Sequence, residues 1–229
     1  MSALALLRPA LFPLTALLAC WLLWPGVTDW GQEYEFLLLI SPLLIAALCL
    51  VLAQVFNQGR IGQMIILVVA TYGLIQWQMQ STLDHPATWW MYFWLTLLFP
   101  LNAMLIRYLP ERRPLSLYGL MFPATLVLQA VFILGLPGQL LTTPLGQWVL
   151  TFQRQPGDVL IPLPAWISFA VSLGLVINRL PRNADVPLAF AAVIILHGLM
   201  FYHFDQPYMS ALTAVTVLLL LFTTLLVTN

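Results

Sequence analysis

The chain has 229 residues, of which 62% are hydrophobic and 7% charged, and its eight basic and eight acidic side chains cancel to zero net charge. A soluble domain must present polar groups to water, so this composition excludes an ordinary water-soluble fold. Zero net charge also leaves no basic surface for a nucleic acid; the expected fold class is all-α, a polytopic helical bundle with the lipid bilayer as its first partner.

Eight apolar runs are predicted as membrane helices, at residues 9–24, 36–56, 61–78, 89–107, 115–136, 159–178, 186–203 and 208–227. A helix needs about 20 residues to cross the hydrocarbon layer, and the runs fall near that length. If the short first or third run does not cross, seven spans remain. Strict polar–apolar alternation, the mark of a membrane barrel strand, is absent from the sequence.

The first run follows Arg8, as a signal peptide would, but no small-x-small cleavage pattern succeeds it and Trp21, Trp24 and Pro25 suit a retained helix. The arginines then set the sidedness. Arg8, Arg60, Arg107, Arg112, Arg113, Arg179 and Arg182 occupy the start of the chain and alternate connections. The other connections hold Asp29, Glu33, Glu35, Asp84, Asp158 and Asp205, with Arg154 as their single basic residue. Positive charge resists translocation, so both termini are expected on the cytoplasmic side of the membrane. Trp21, Trp24, Trp30, Trp77, Trp89 and Trp90 gather at the opposite ends of the runs, where an indole sits half buried with its N–H hydrated. Cys20 and Cys49 are expected at different depths, which no disulfide spans, so both are read as free thiols.

The long connection is 137–158, punctuated by Pro137-Gly138 and Pro156-Gly157. Within it Leu145, Trp148, Val149 and Phe152 form the apolar stripe of a short interfacial helix. No internal repeat is evident, so residues 1–229 are treated as a single integral-membrane domain.

Chemistry is sparse. No Asp, Glu, Lys or Arg falls mid-span, which argues against a proton-driven pump and an intramembrane aspartyl protease. Zinc-protease, nucleophile-elbow and phosphate-loop motifs are missing from the sequence, so no catalytic residue and no cofactor is expected. The polar groups that remain form two candidate sets. Trp30, Glu33, Glu35, Trp77, Asp84, His85, Trp89, His203 and Asp205 are expected near the outer surface, where aromatic walls and carboxylates suit a small ligand. Asp84, His85, His203 and Asp205 among them have side chains that suit a divalent metal, though no short ligand spacing supports one; a hydrated loop face is the alternative. The second set is buried: Pro100 as a hinge or packing kink, Asn102 and Gln129 as interhelical amides, and His197, which either bonds across helices or ligates haem. Gln63 and Gln76 are further amides of this kind, and prolines 13, 42, 123, 162 and 164 further interruptions.

Leu97-Leu98-Phe99-Pro100-Leu101-Asn102, followed by Arg107 and then Pro110-Glu111-Arg112-Arg113, resembles the N-terminal membrane region of bacterial GGDEF-type diguanylate cyclases. The leucine-threonine run 218–227 is similar to the helix that leads into the cyclase domain of that family. The resemblance implies a cytoplasmic effector domain after Asn229, cyclic di-GMP as its product, and a homodimer, since two active-site halves must meet. The Gly-Gly-Asp/Glu-Glu-Phe run itself does not occur, so no catalytic or metal-binding residue carries over. The expected function is therefore a sensory input module responding to a small ligand or a membrane protein partner. A permease for a neutral solute and a non-catalytic assembly partner are the alternatives.

Overall fold

The computed structural model describes residues 39–79, 84–135, 142–151 and 207–227, together with 34, 36, 37 and 170. Every regular element among them is helical: α1 (Leu39–Val55), α2 (Gly59–Gln78), α3 (Pro86–Tyr108), α4 (Met121–Gly135), α5 (Pro144–Leu150) and α6 (Pro207–Val227). By length and composition α2 and α3 can each cross a membrane, whereas α1, α4 and the Ser210–Leu226 part of α6 are shorter apolar helices. The expected runs at 9–24, 159–178 and 186–203 lie almost wholly outside the described residues.

Helix α1 ends where Asn57 takes a left-handed conformation, φ 57°. That geometry lets the Gln58 N–H reach back to the Ala53 carbonyl at 2.9 Å, satisfying an acceptor the helix end leaves open. The buried residues of α1, Pro42, Ala46, Cys49 and Ala53, recur at helical spacing, and the last three are small. Small side chains let backbones approach, and the Cys49 thiol accordingly comes within 3.7 Å of the Leu218 carbonyl on α6. Cys49 is free and buried.

Helix α2 is the hub, packing against α3, α4 and α6. Its first turn is held by the connection that follows α3. A Cβ on Gly59 would strike the Arg112 backbone, and one on Gly62 the Pro114 ring, so both positions depend on having no side chain. The Arg60 guanidinium donates to the Leu109 carbonyl at 2.9 Å and pairs with Glu111 at 3.3 Å. Gln63 donates to the Gly119 carbonyl at 2.7 Å, and the Leu115 N–H to Gln54 at 3.1 Å.

These tethers correct the expected start of the fifth run. Residues 115–120 are turns, and the helix begins at Met121. The Ser116 hydroxyl donates to the Arg113 carbonyl at 2.7 Å and accepts from the Gly119 N–H at 3.2 Å, a local hydroxyl turn that competes with helix. The 15 described residues of α4 span about 22 Å.

Helix α3 carries the aromatic core: Trp90, Tyr92, Phe93 and Phe99 are fully buried. Trp94 packs edge-on against Phe93, Trp90 and Phe132 at centroid distances of 5.5, 5.5 and 5.3 Å. Trp89 and Trp90 were expected as half-hydrated interface anchors, and both are buried instead. The Trp90 indole donates to the Ile133 carbonyl and the Trp89 indole to the Val149 carbonyl, each at 3.2 Å. Each indole N–H is thus satisfied by a backbone carbonyl of a neighbouring helix rather than by water. Trp77 and Trp148 do remain exposed. Arg107, expected in a connection, is also buried, in the last turn of α3, where a cation complements the helix dipole.

The short helix in the long connection is present as α5, opened by Thr143, whose hydroxyl accepts from the Gly146 N–H at 3.3 Å. Of its predicted stripe, Val149 is buried, Trp148 meets Phe93 edge-on at 5.8 Å, and Leu145 is exposed; Phe152 lies outside the described residues. The stripe is thus divided between packing on α3 and an outward face.

Candidate functional site

The two sets of candidate residues fare differently. Of the expected outer set, Trp30, Glu33, Glu35, His203 and Asp205 lie outside the described residues, as does His197 of the buried set. Asp84 and His85 are exposed, immediately before α3. His85 takes the N-cap position without a side-chain capping bond, and its carbonyl accepts from the Trp89 N–H at 3.0 Å. Trp89 is turned into the protein, 4% exposed, with its ring against Tyr92 and its N–H on α5. Among the described residues no three His, Cys, Asp or Glu side chains gather as a metal site would require.

The buried amides come together. Asn102, on α3, and Gln129, on α4, face each other and exchange two hydrogen bonds: Asn102 Nδ2 to Gln129 Oε1 at 2.7 Å, and Gln129 Nε2 to Asn102 Oδ1 at 3.1 Å. Asn102 is only 3% exposed. A buried amide without partners is costly, so reciprocal pairing across two helices fixes both position and rotamer. Pro100 lies two residues before Asn102 inside α3, where it supplies no N–H to the Thr96 carbonyl one turn back. The Thr96 hydroxyl bonds back to the Tyr92 and Phe93 carbonyls, both at 2.9 Å. Helix α3 continues through this interruption to Tyr108.

The amide pair lines a half-open cavity of about 380 Å³ between α2, α3 and α4. Ile66, Ala70, Gly73 and Trp77 bring one face of α2 to it, spaced four, three and four residues apart. Phe99 and Ala130 belong to the facing helices. Among the described residues no charged side chain and no histidine lines the space; Thr71, Asn102, Gln129 and the Trp77 indole supply its polar groups. The cavity exists because Ala70, Gly73 and Ala130 are small, and a Cβ on Gly73 would meet nothing within 4 Å. These three residues were not singled out from sequence. For Ala70 and Gly73 the signal available was their place on one face of α2 with Trp77, which reads as routine packing until the facing helix is known, and for Ala130 there was none.

The remaining amides tie the hub to its surroundings: Gln76 donates to the Ser210 hydroxyl on α6 at 2.6 Å, and Gln63 to the connection before α4. What the arrangement offers chemically is an apolar space with one amide pair in its wall, suited to binding and not to bond making. No known family model, curated protein or solved structure matches the chain.

Proposed function

We propose that this chain is a membrane-embedded sensory module of the bacterial inner membrane, with about eight spans and both termini cytoplasmic. It relays a periplasmic or membrane signal to a cytoplasmic diguanylate cyclase domain, working as a homodimer. The observation that carries the reading is the apolar cavity walled by the Asn102–Gln129 pair, beside the proline of α3. A ligand shifts an equilibrium only by binding two packings with different affinity, and a cavity bounded by three helices is a place where packing and occupancy are coupled. Helix α2 lines the cavity and also packs on α6 through Gln76 and Ser210, so a change at α2 has a physical route to the chain's last helix. The alternation of arginines along the sequence supports the proposed sidedness.

The permease alternative is less well supported, because a hydrated solute entering this space would exchange its water for an almost wholly apolar wall. The test is topology followed by output. Reporter fusions after Arg113 and after Asn229 should be active only as cytoplasmic forms, and one after Asp84 only as a periplasmic form. Cells carrying the complete natural reading frame should then change their cyclic di-GMP level when Ser210 is replaced by alanine. Residue 229 in the periplasm, or no cyclase sequence in the frame, overturns the reading.

A further inference from the structure

We infer that the cavity between α2, α3 and α4 binds a neutral, lipid-soluble small molecule bearing one carbonyl or hydroxyl oxygen, held by the Asn102–Gln129 pair. The inference rests on the sensory reading only for its biological use, since binding is measured directly. The argument begins with charge. Among the described residues, none in the cavity wall carries a formal charge, so an ionised ligand would lose its hydration with no counter-charge from them. Most of the wall is hydrocarbon, which selects an apolar body.

The amides then select the polar atom. A primary amide offers two N–H donors and two acceptor positions. The reciprocal bonds use one donor and one acceptor position of each residue, leaving each with a second of both kinds beside the cavity. A carbonyl takes the leftover N–H; a hydroxyl uses either. The pair is therefore preorganised, because its geometry is set by its own two bonds before any ligand arrives.

Depth separates a free molecule from a bilayer phospholipid. Asn102 is five residues from Leu97, the middle of α3, which places it about 7.5 Å along the axis from the helix centre. With α3 across the bilayer, phospholipid ester groups lie at the edge of the hydrocarbon, about 15 Å from its centre. An ester carbonyl would have to sink half that distance to reach the pair, whereas a small molecule dissolved in the hydrocarbon meets it directly. The cavity also reaches the surface of the bundle beside Trp77, which is 69% exposed, giving such a molecule an entrance.

The experiment uses the full chain in phospholipid nanodiscs and two photoreactive probes with the same diazirine tag, one built on undecan-2-one and one on undecane. Probes are compared at equal mole fraction in the bilayer, and labelled peptides are identified by mass spectrometry. The ketone is expected to label α2 and α4 around Gly73 and Ala130 about fivefold to tenfold more than the alkane, as one added hydrogen bond allows. Replacing both amides, Asn102→Leu with Gln129→Leu, should erase that preference. Gly73→Leu should suppress labelling by both probes; its Cβ would meet nothing within 4 Å, and an unchanged unfolding midpoint of the variant checks that the fold is kept. Excess unlabelled undecan-2-one should compete, and excess undecanoate at a pH where it is ionised should not.

Equal labelling by ketone and alkane in the native chain overturns the inference. So does labelling unaffected by Gly73→Leu, which would mean bulk lipid contact, or no labelling at all, which would mean that another part of the chain covers the space. The sensory reading fails separately. If the ketone binds as described but cyclic di-GMP in cells carrying the natural reading frame ignores it, the site stands and the relay does not.

Discussion

The Gln76 amide donates to the Ser210 hydroxyl at 2.6 Å, joining α2 to α6 across 134 positions of sequence. Both residues stand on helices that are otherwise apolar where they meet, so the bond sets the register of one helix against the other.

Ser210→Ala should destabilise the protein by about 0.5–1.5 kcal/mol, the usual net worth of one buried hydrogen bond. A double-mutant cycle with Gln76→Leu checks this through unfolding midpoints in detergent. The two losses should add to more than the double variant loses, because removing either partner already breaks the same bond. Strict additivity would mean that the bond contributes nothing to stability.

The amide pair predicts an asymmetry between single and double replacement. Asn102→Leu leaves the Gln129 amide facing hydrocarbon without its partner and should cost about 1–3 kcal/mol. Asn102→Leu together with Gln129→Leu should recover most of that loss. Equilibrium unfolding of the three variants decides the matter, and a double variant worse than either single one would show that the pair has further partners.

Three glycines of α2 should respond in opposite directions to the same added methyl group. Gly59→Ala and Gly62→Ala drive a Cβ into the Arg112 backbone and the Pro114 ring, so each should lose at least 2 kcal/mol or fail to accumulate. Gly73→Ala adds a methyl group to open space in a helix interior and should gain up to about 1 kcal/mol from helix propensity. Thermal unfolding of purified variants makes the comparison.

Trp89→Phe keeps the aromatic ring and deletes the N–H that donates to α5. The expected result is local: faster amide hydrogen exchange in residues 144–150, with little change in α2. Global loss of protection would mean that α5 is integral to the core.

Arg60 and Glu111 make an ion pair with side chains 20% and 48% exposed, so their Coulomb attraction is largely screened. Glu111→Gln should therefore cost under about 0.5 kcal/mol. Arg60→Ala should cost more, because it also removes the donor to the Leu109 carbonyl past the end of α3. A chemical-denaturation series separates the two.

How much of this was legible beforehand varies by residue. The helices α1, α2, α3 and α6 fall within or close to the apolar runs read from sequence, because length and hydrophobicity are local properties of the chain. The start of α4 was misplaced by six residues, since Leu115, Leu117 and Leu120 extend the apolar pattern while the Ser116 turn and the tethers from α1 and α2 hold that segment out of helix. Asn102, Gln129, Gln63 and Gln76 could be named as bonding groups from their type alone. Their partners could not, and Gln63 in fact binds a connection instead of a helix. Trp89 and Trp90 were misjudged for the same reason: an indole at the end of an apolar run has one sequence signature whether its N–H meets water or the carbonyl of a neighbouring helix.

The amino-acid sequence by itself determined the apolar, helical character of this protein, the placing of charge between or at the ends of apolar runs, and the scarcity of groups for catalysis, all of which depend on side-chain chemistry and spacing along one chain. Only the tertiary structure decided that Asn102 meets Gln129, that Gly59 and Gly62 lie under a neighbouring connection while Gly73 borders open space, and that two tryptophans donate to carbonyls of neighbouring helices. Each of these is a distance between segments remote in sequence, set by how the helices pack against one another, and packing is a property of pairs of surfaces that neither segment encodes alone.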